Sequence, residues 1–202
     1  MENELKQLIG SGEKVFYEGK PDKKCFILES IFNPMLPIAI IWAIIDFGIL
    51  GSTLLDNDQI SFVIIPFMLF HLMPVWIYLG GVLFMFRKYK NTYYIVTDNA
   101  IYISKGIFTK TVVSKPFAEL SHINLHRGLF DQMCNVGDVV ATTNQLTANN
   151  KADVVALNSI SDYTEVYNLV KKLQRDIYTD VMYPNDMRPD ENHGYNTKYR
   201  GL

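Results

Sequence analysis

Apolar residues crowd into one stretch of this chain, Ile31 to Phe86, and are spaced singly or in short runs elsewhere. The run "MLPIAIIWAIIDFGILGSTLL" (Met35 to Leu55) has the roughly 20 residues that a helix needs to cross a bilayer. Four polar residues, Asp56 to Gln59, separate it from "ISFVIIPFMLFHLMPVWIYLGGVLFMF" (Ile60 to Phe86), which is long enough to cross with tilt. So short a link predicts an antiparallel hairpin of two spans, with both chain ends on one side. Lys14, Lys20, Lys23 and Lys24 precede the first span, and Arg87, Lys88 and Lys90 follow the second, while the link has no basic residue. Positive charge stays inside, so both termini are expected in the cytoplasm and the protein in the cell membrane.

After Arg87 the period shortens. "TYYIV" (Thr92 to Val96) and "AIYIS" (Ala100 to Ser104) flank a Thr-Asp-Asn turn. "KTVVSK" (Lys110 to Lys115), "LSHINLH" (Leu120 to His126), "VGDVVATT" (Val136 to Thr143) and "ADVVALN" (Ala152 to Asn158) are further strand-length runs. "RGLFDQMCN" is a short helix or loop and Gln145 to Lys151 a polar hairpin loop. Val166, Leu169, Val170, Leu173 and Ile177 then recur at helical spacing behind Ser161 and Asp162, a stripe that would pack on a sheet. From Pro184 aliphatic residues almost vanish, as in a mobile tail. "ENELKQLI" near the start suits a short surface helix, and "EKVFYEG" (Glu13 to Gly19) an extra strand or a membrane-adjacent arm.

The order of elements divides the chain into an N-terminal arm (1–30), a transmembrane helical hairpin (31–86, spans at about 35–55 and 60–86), a cytoplasmic domain (87–180) and a tail (181–202). Some six closely spaced strands and one closing helix favour a small barrel or sandwich.

At this point the sequence resembles a known family, the bacterial pleckstrin-homology-like membrane proteins, in which two spans precede a PH-like domain. The resemblance rests on "EKVFYEGKP" (Glu13 to Pro21), "YYIVTDNAIYISKGIF" with its Thr-Asp turn and Lys-Gly hairpin, "KPFAELSHINLHRGLFDQMCNVGDVVA" (Lys115 to Ala141) and "ALNSISDYTEVYNLVKKL" (Ala156 to Leu173). Asn99-Ala100 stands where the family tends to have Glu-Arg, which removes a charge pair from the turn but not the turn itself. The resemblance implies a membrane-anchored α+β protein: a two-helix transmembrane hairpin, then a PH-like β-barrel or sandwich capped by a C-terminal α-helix. It also implies no catalytic residues.

Composition adds exclusions. A formal net charge of -2 lacks the basic bias of a nucleic-acid binder. Cys25 and Cys134 stand far apart, with neither a disulfide framework nor zinc spacing. Phosphate-binding, dinucleotide, metalloprotease and nucleophile-elbow motifs are missing from the sequence, so no catalytic, cofactor or metal residues are assigned and no cofactor is expected. His122 and His126 read as ordinary strand histidines.

The spans themselves carry Asp46 and His71 at similar depth, and Tyr78 lies seven residues beyond His71. These three form a candidate intramembrane cluster, since ionisable groups in a bilayer are costly and invite a functional question. The blander reading is that Asp46 and His71 satisfy each other and fix the hairpin register. Arg87, Lys88, Lys90, Lys105, Lys110 and Lys115 are candidate contacts for anionic headgroups, against a plain solvated face. The expected function is a non-enzymatic scaffold at the cytoplasmic membrane face. Its expected partners are the bilayer lipids and a protein partner or further copies of itself, not nucleic acid. The alternative is an accessory subunit of a membrane transport or export assembly that uses Asp46 and His71.

Overall fold

A computed structural model of the chain describes residues 2–56, 61–146 and 152–182. Most of the loops expected at 56–59 and 145–151, and all but the first two residues of the tail expected at 181–202, lie outside them. The chain forms two compact units, one of residues 26–90 and one made of residues 1–25 together with 91–202. The N-terminal arm as far as Cys25 therefore belongs to the second unit.

That unit is mixed α+β. Strands β1 (Val15–Gly19), β2 (Tyr93–Thr97), β3 (Ala100–Lys105) and β4 (Thr111–Pro116) make one antiparallel sheet in sequence order. Strands β5 (Leu120–His126), β6 (Gly137–Leu146) and β7 (Ala152–Ile160) make a second. Among the described residues the two sheets share no ladder, so they are open layers and not the closed barrel that was one expectation. The ladder breaks at Pro116, which ends β4 and leads into a 3-10 turn, Phe117–Glu119, before β5.

Alternation of side chains explains how the layers bury. Tyr94, Val96, Ile101 and Ile103 point from the first sheet into a core shared with Val139, Ala141, Val155 and Leu157 of the second. Helix α7 (Tyr163–Met182) closes this core with Val166, Val170 and Leu173, the stripe legible in the sequence. The opposite face of β2 and β3, Tyr93, Ile95, Ala100 and Tyr102, is covered by Leu5 of the short helix α1 (Glu2–Lys6). That makes β2 buried on both faces.

The Thr-Asp turn is held from both sides. Thr97 Oγ1 accepts the Ala100 N–H at 3.0 Å and donates to the Glu13 carboxylate at 2.7 Å, and Asp98 Oδ1 accepts the Lys14 N–H at 3.1 Å. Where β7 bulges against Asp138, Ser159 takes φ 53, unusual for a residue with a side chain. Groups from elsewhere replace the lost ladder. Asp138 Oδ1 accepts the Ser159 N–H at 2.7 Å, and the Asp22 N–H donates to the Ser159 carbonyl at 2.6 Å. The Tyr94 hydroxyl accepts the Asn158 N–H at 3.1 Å and donates to the Asn158 carbonyl at 3.4 Å, joining the two sheets.

Between β5 and β6 lies α6 (Leu129–Cys134), whose first turn is tied by the Gly128 N–H to Asp131 Oδ2 at 2.8 Å and which ends on Asn135 at φ 55. Helix α2 (Lys23–Ile31) begins in this unit, capped by Asp22 Oδ1 accepting the Cys25 N–H at 2.9 Å.

The unit of residues 26–90 is helical. Helix α3 (Met35–Asp56) contains Met35–Ser52, the one window among the described residues apolar and long enough to cross a membrane within a helix. The second expected span does not appear as one helix. It is divided at Leu72 into α4 (Ser61–His71) and α5 (Met73–Asn91). Pro74 is the physical reason, since its nitrogen cannot donate to the carbonyl one turn earlier and its ring crowds that turn. The chain still climbs through the break, with the Leu72 N–H donating to Met68 and the Trp76 N–H to Leu72.

Candidate functional site

Within the helical unit the candidate polar residues separate into a pair and an outlier. His71 Nδ1 lies 2.8 Å from Asp46 Oδ1. The Asp46 side chain is only 2% exposed, whereas His71 is 39% exposed. Asp46 Oδ2 is buried with no hydrogen-bond partner. A carboxylate so placed keeps one strong interaction, and loss of its partner would strand a buried charge.

The imidazole is held by two rings. Trp42 stacks on it with centroids 5.2 Å apart, and Phe67 with centroids 5.5 Å apart. Trp42 sits one helical turn before Asp46, so α3 presents the indole and the carboxylate on one face. The same indole Nε1–H donates to the His71 carbonyl at 2.8 Å, and that of Trp76 to the Leu69 carbonyl at 3.0 Å. Two carbonyls beside the proline break thus receive side-chain donors, which apolar surroundings require. The sequence marked Asp46 and His71 but not Trp42 or Phe67. The four-residue spacing of Trp42 and Asp46 was the available signal.

Tyr78 does not join the pair. Its hydroxyl donates to the Ile31 carbonyl at 2.9 Å. Seven residues past His71 is two turns, or roughly 10 Å along the axis, which carries the phenol away from the depth of Asp46. Its contact fastens the C-terminal end of α2 to α5.

The six candidate cations differ in circumstance. In the helical unit Lys88 is half-buried and lies over the Phe26 ring, 5.7 Å from its centroid, while Arg87 and Lys90 are both exposed on the last turns of α5. In the sheet unit Lys105 is exposed at the end of β3. Lys110 Nζ bonds the Glu4 carboxylate at 3.2 Å, a hydrogen bond and charge that hold Glu4 below the usual carboxylate range. Lys115 Nζ lies 2.6 Å from Asp153 Oδ2 and likewise lowers that carboxyl, bridging β4 to β7. Lys110 and Lys115 are thus engaged within the fold.

Among the described residues of the sheet unit, His126, Asp131 and Asp138 could hold a metal, bringing one donor atom each within 4.8 Å of one another. Their oxygens already have structural work. Asp131 accepts from Gly128 N–H and, through Oδ1, from Cys25 Sγ at 3.3 Å, and Asp138 holds Ser159. Burial pushes the Asp138 carboxyl up, with the charge of Asp131 adding to it. These ties account for the cluster without a metal.

Two open sheets, a closing helix and a preceding apolar helical unit define a small sheet-and-helix module attached to a hydrophobic segment. The family model described as the bacterial PH domain matches residues 32–174, which takes in the helical segments as well as the sheets. The chain belongs to the bacterial PH domain family. No curated protein and no solved structure matches it.

Proposed function

We propose that this protein is a non-enzymatic, membrane-anchored interaction module, with its PH domain held at the cytoplasmic membrane face by a hairpin of two spans. The observation that carries the reading is membership of the bacterial PH domain family, whose domains are generally non-catalytic, joined in one chain to an apolar helical unit. Ile41, Ile44 and Phe47 of α3 are exposed, as suits side chains that meet lipid. Helices α4 and α5 together form the second span, bent at Leu72 and ending in Arg87, Lys88 and Lys90, which the positive-inside rule keeps in the cytoplasm.

Tethering raises the effective concentration of the domain toward other membrane-bound molecules. Its partner is a membrane protein, a second copy or anionic lipid, met at an open sheet edge or beside α7. Affinity purification of the tagged full chain from its native membrane, followed by mass spectrometry, tests this. A stoichiometric membrane protein, or self-association with anionic lipid, is expected. Recovery of a lone soluble monomer would refute it.

The Asp46–His71 pair supports a second reading, an accessory subunit of a transport or export assembly. Asp46→Asn with His71→Gln keeps polarity and removes charge. Unchanged cellular function at full expression would sink that reading.

A further inference from the structure

We infer that Phe108, Leu129 and Met133 form a lipid-facing rim of the sheet unit that inserts into the headgroup layer of the cytoplasmic leaflet. The inference rests on the membrane-anchored reading and adds to it the face that the domain turns to the bilayer.

Three observations lead there. First, Phe108, Leu129 and Met133 are 74%, 71% and 72% exposed, the most exposed large apolar side chains of this unit among the described residues. Leu129 and Met133 lie four apart on α6 and so share one face. Lone exposed hydrophobics are ordinary, but a paired apolar helical face and an aromatic at a hairpin tip are exposed apolar surface that water does not favour.

Second, both elements are pinned to the places where the chain leaves for the helical unit and returns from it. The sheet unit ends at Cys25 and resumes at Asn91. The Asn91 side-chain amide donates to the Gly106 carbonyl at 3.1 Å, beside the β3–β4 tip that carries Phe108. Gly106 stands at φ 138, and a Cβ there would strike the Thr109 carbonyl, so the tip has a fixed shape. At the other crossing, Cys25 Sγ donates to Asp131 Oδ1 within α6. Tyr178, also exposed, lies on α7 without a tie to either crossing among these contacts.

Third, the distances suit a shallow insertion. The apolar run ends at Phe86, five residues before Asn91, or roughly 7 Å along a helix. That is about the thickness of one headgroup layer. Asn91, at the end of α5, therefore lies within one headgroup thickness of the end of the apolar run. Lys23 and Lys24 beside Cys25, and Lys105 beside the tip, supply the positive charge that anionic lipids attract.

The test uses the full chain in a Cys134→Ser background, with a polarity-sensitive fluorophore on Phe108→Cys, Leu129→Cys or Met133→Cys. Tyr178→Cys and Ile44→Cys, the latter on exposed α3, serve as references. Each protein is reconstituted in phosphatidylcholine–phosphatidylglycerol vesicles with or without lipids spin-labelled near the headgroup or along the chain. Blue-shifted emission and loss of signal to shallow spin labels are expected at 108, 129 and 133, loss to chain labels at 44, and neither at 178. Quenching at 44 with water-like emission at the three rim positions would overturn the inference and leave the anchor intact. No quenching at 44 would overturn the membrane-anchored reading, and the rim with it.

Discussion

Removing one oxygen atom, in Tyr94→Phe, tests how the two sheets are joined. The Tyr94 ring is 1% exposed and packs in the shared core, and a phenylalanine keeps all of those ring contacts. What it loses is the hydroxyl that accepts the Asn158 N–H at 3.1 Å and donates to its carbonyl at 3.4 Å. Asn158 stands at the β7 bulge, where the ladder cannot supply substitutes. A lost hydrogen bond of ordinary length costs about 1 kcal/mol, and a buried amide left unpaired adds a further ~1 kcal/mol. Asn158 is only half-buried and the second bond is long, so the total should be about 2 kcal/mol. Hydrogen exchange read on peptides covering 152–160 separates the sheet unit from the helices. Protection there should fall roughly 30-fold, and Tyr178→Phe, at an exposed site, should leave it unchanged. An unchanged exchange rate in Tyr94→Phe would refute the claim that this hydroxyl substitutes for the broken ladder.

Other perturbations follow the same logic. Ser159→Gly relieves the φ of 53 and removes an Oγ that is buried without a hydrogen-bond partner, so it should stabilise the sheet unit by about 1 kcal/mol in denaturant titration. Asp138 has its carboxyl pushed up by burial, so its protonated form is the one that favours folding. That contribution is complete below the ordinary Asp pKa of about 3.9 and fades as pH rises through the higher folded value. Asp138→Asn keeps an acceptor for Ser159 and does not ionise, so its stability relative to the parent should rise over that window, whereas Asp138→Ala should be less stable at every pH. In the helical unit, His71→Phe strands the Asp46 carboxylate and should cost about 3–5 kcal/mol, and Asp46→Leu with His71→Phe should recover most of it. The fluorescence of Trp42, stacked on His71, reports this unfolding in detergent.

The parts of this fold legible in the sequence are those with a local period. The Met35–Asp56 helix, the alternation of Tyr94 with Val96 and of Ile101 with Ile103, and the Val166–Val170–Leu173 stripe each declare themselves within a few residues. So does the depth match of Asp46 and His71, which follows from counting along two helices. Long-range pairings were not legible. Val15–Gly19 became the edge strand beside β2, and Leu5 the cover of its outer face, because distant residues offered an open edge and an apolar surface. Pro74 announced a defect in the second span, but not that two indoles would satisfy the carbonyls beside it. The Tyr78 hydroxyl bonds the Ile31 carbonyl, because seven residues restore the face of a helix without restoring the depth. The engagement of Lys110 by Glu4 and of Lys115 by Asp153 likewise depended on partners brought from far along the chain.

The central claim is a hairpin anchor with the PH domain in the cytoplasm, and site-directed labelling in intact cells tests it most directly. Asp56→Cys and Lys105→Cys, each in the full chain with Cys134→Ser, are treated with a membrane-impermeant maleimide before and after permeabilisation. The account expects Asp56→Cys to label from outside intact cells and Lys105→Cys to label only once the membrane is opened. Labelling of Lys105→Cys in intact cells, or of Asp56→Cys only after permeabilisation, would contradict it.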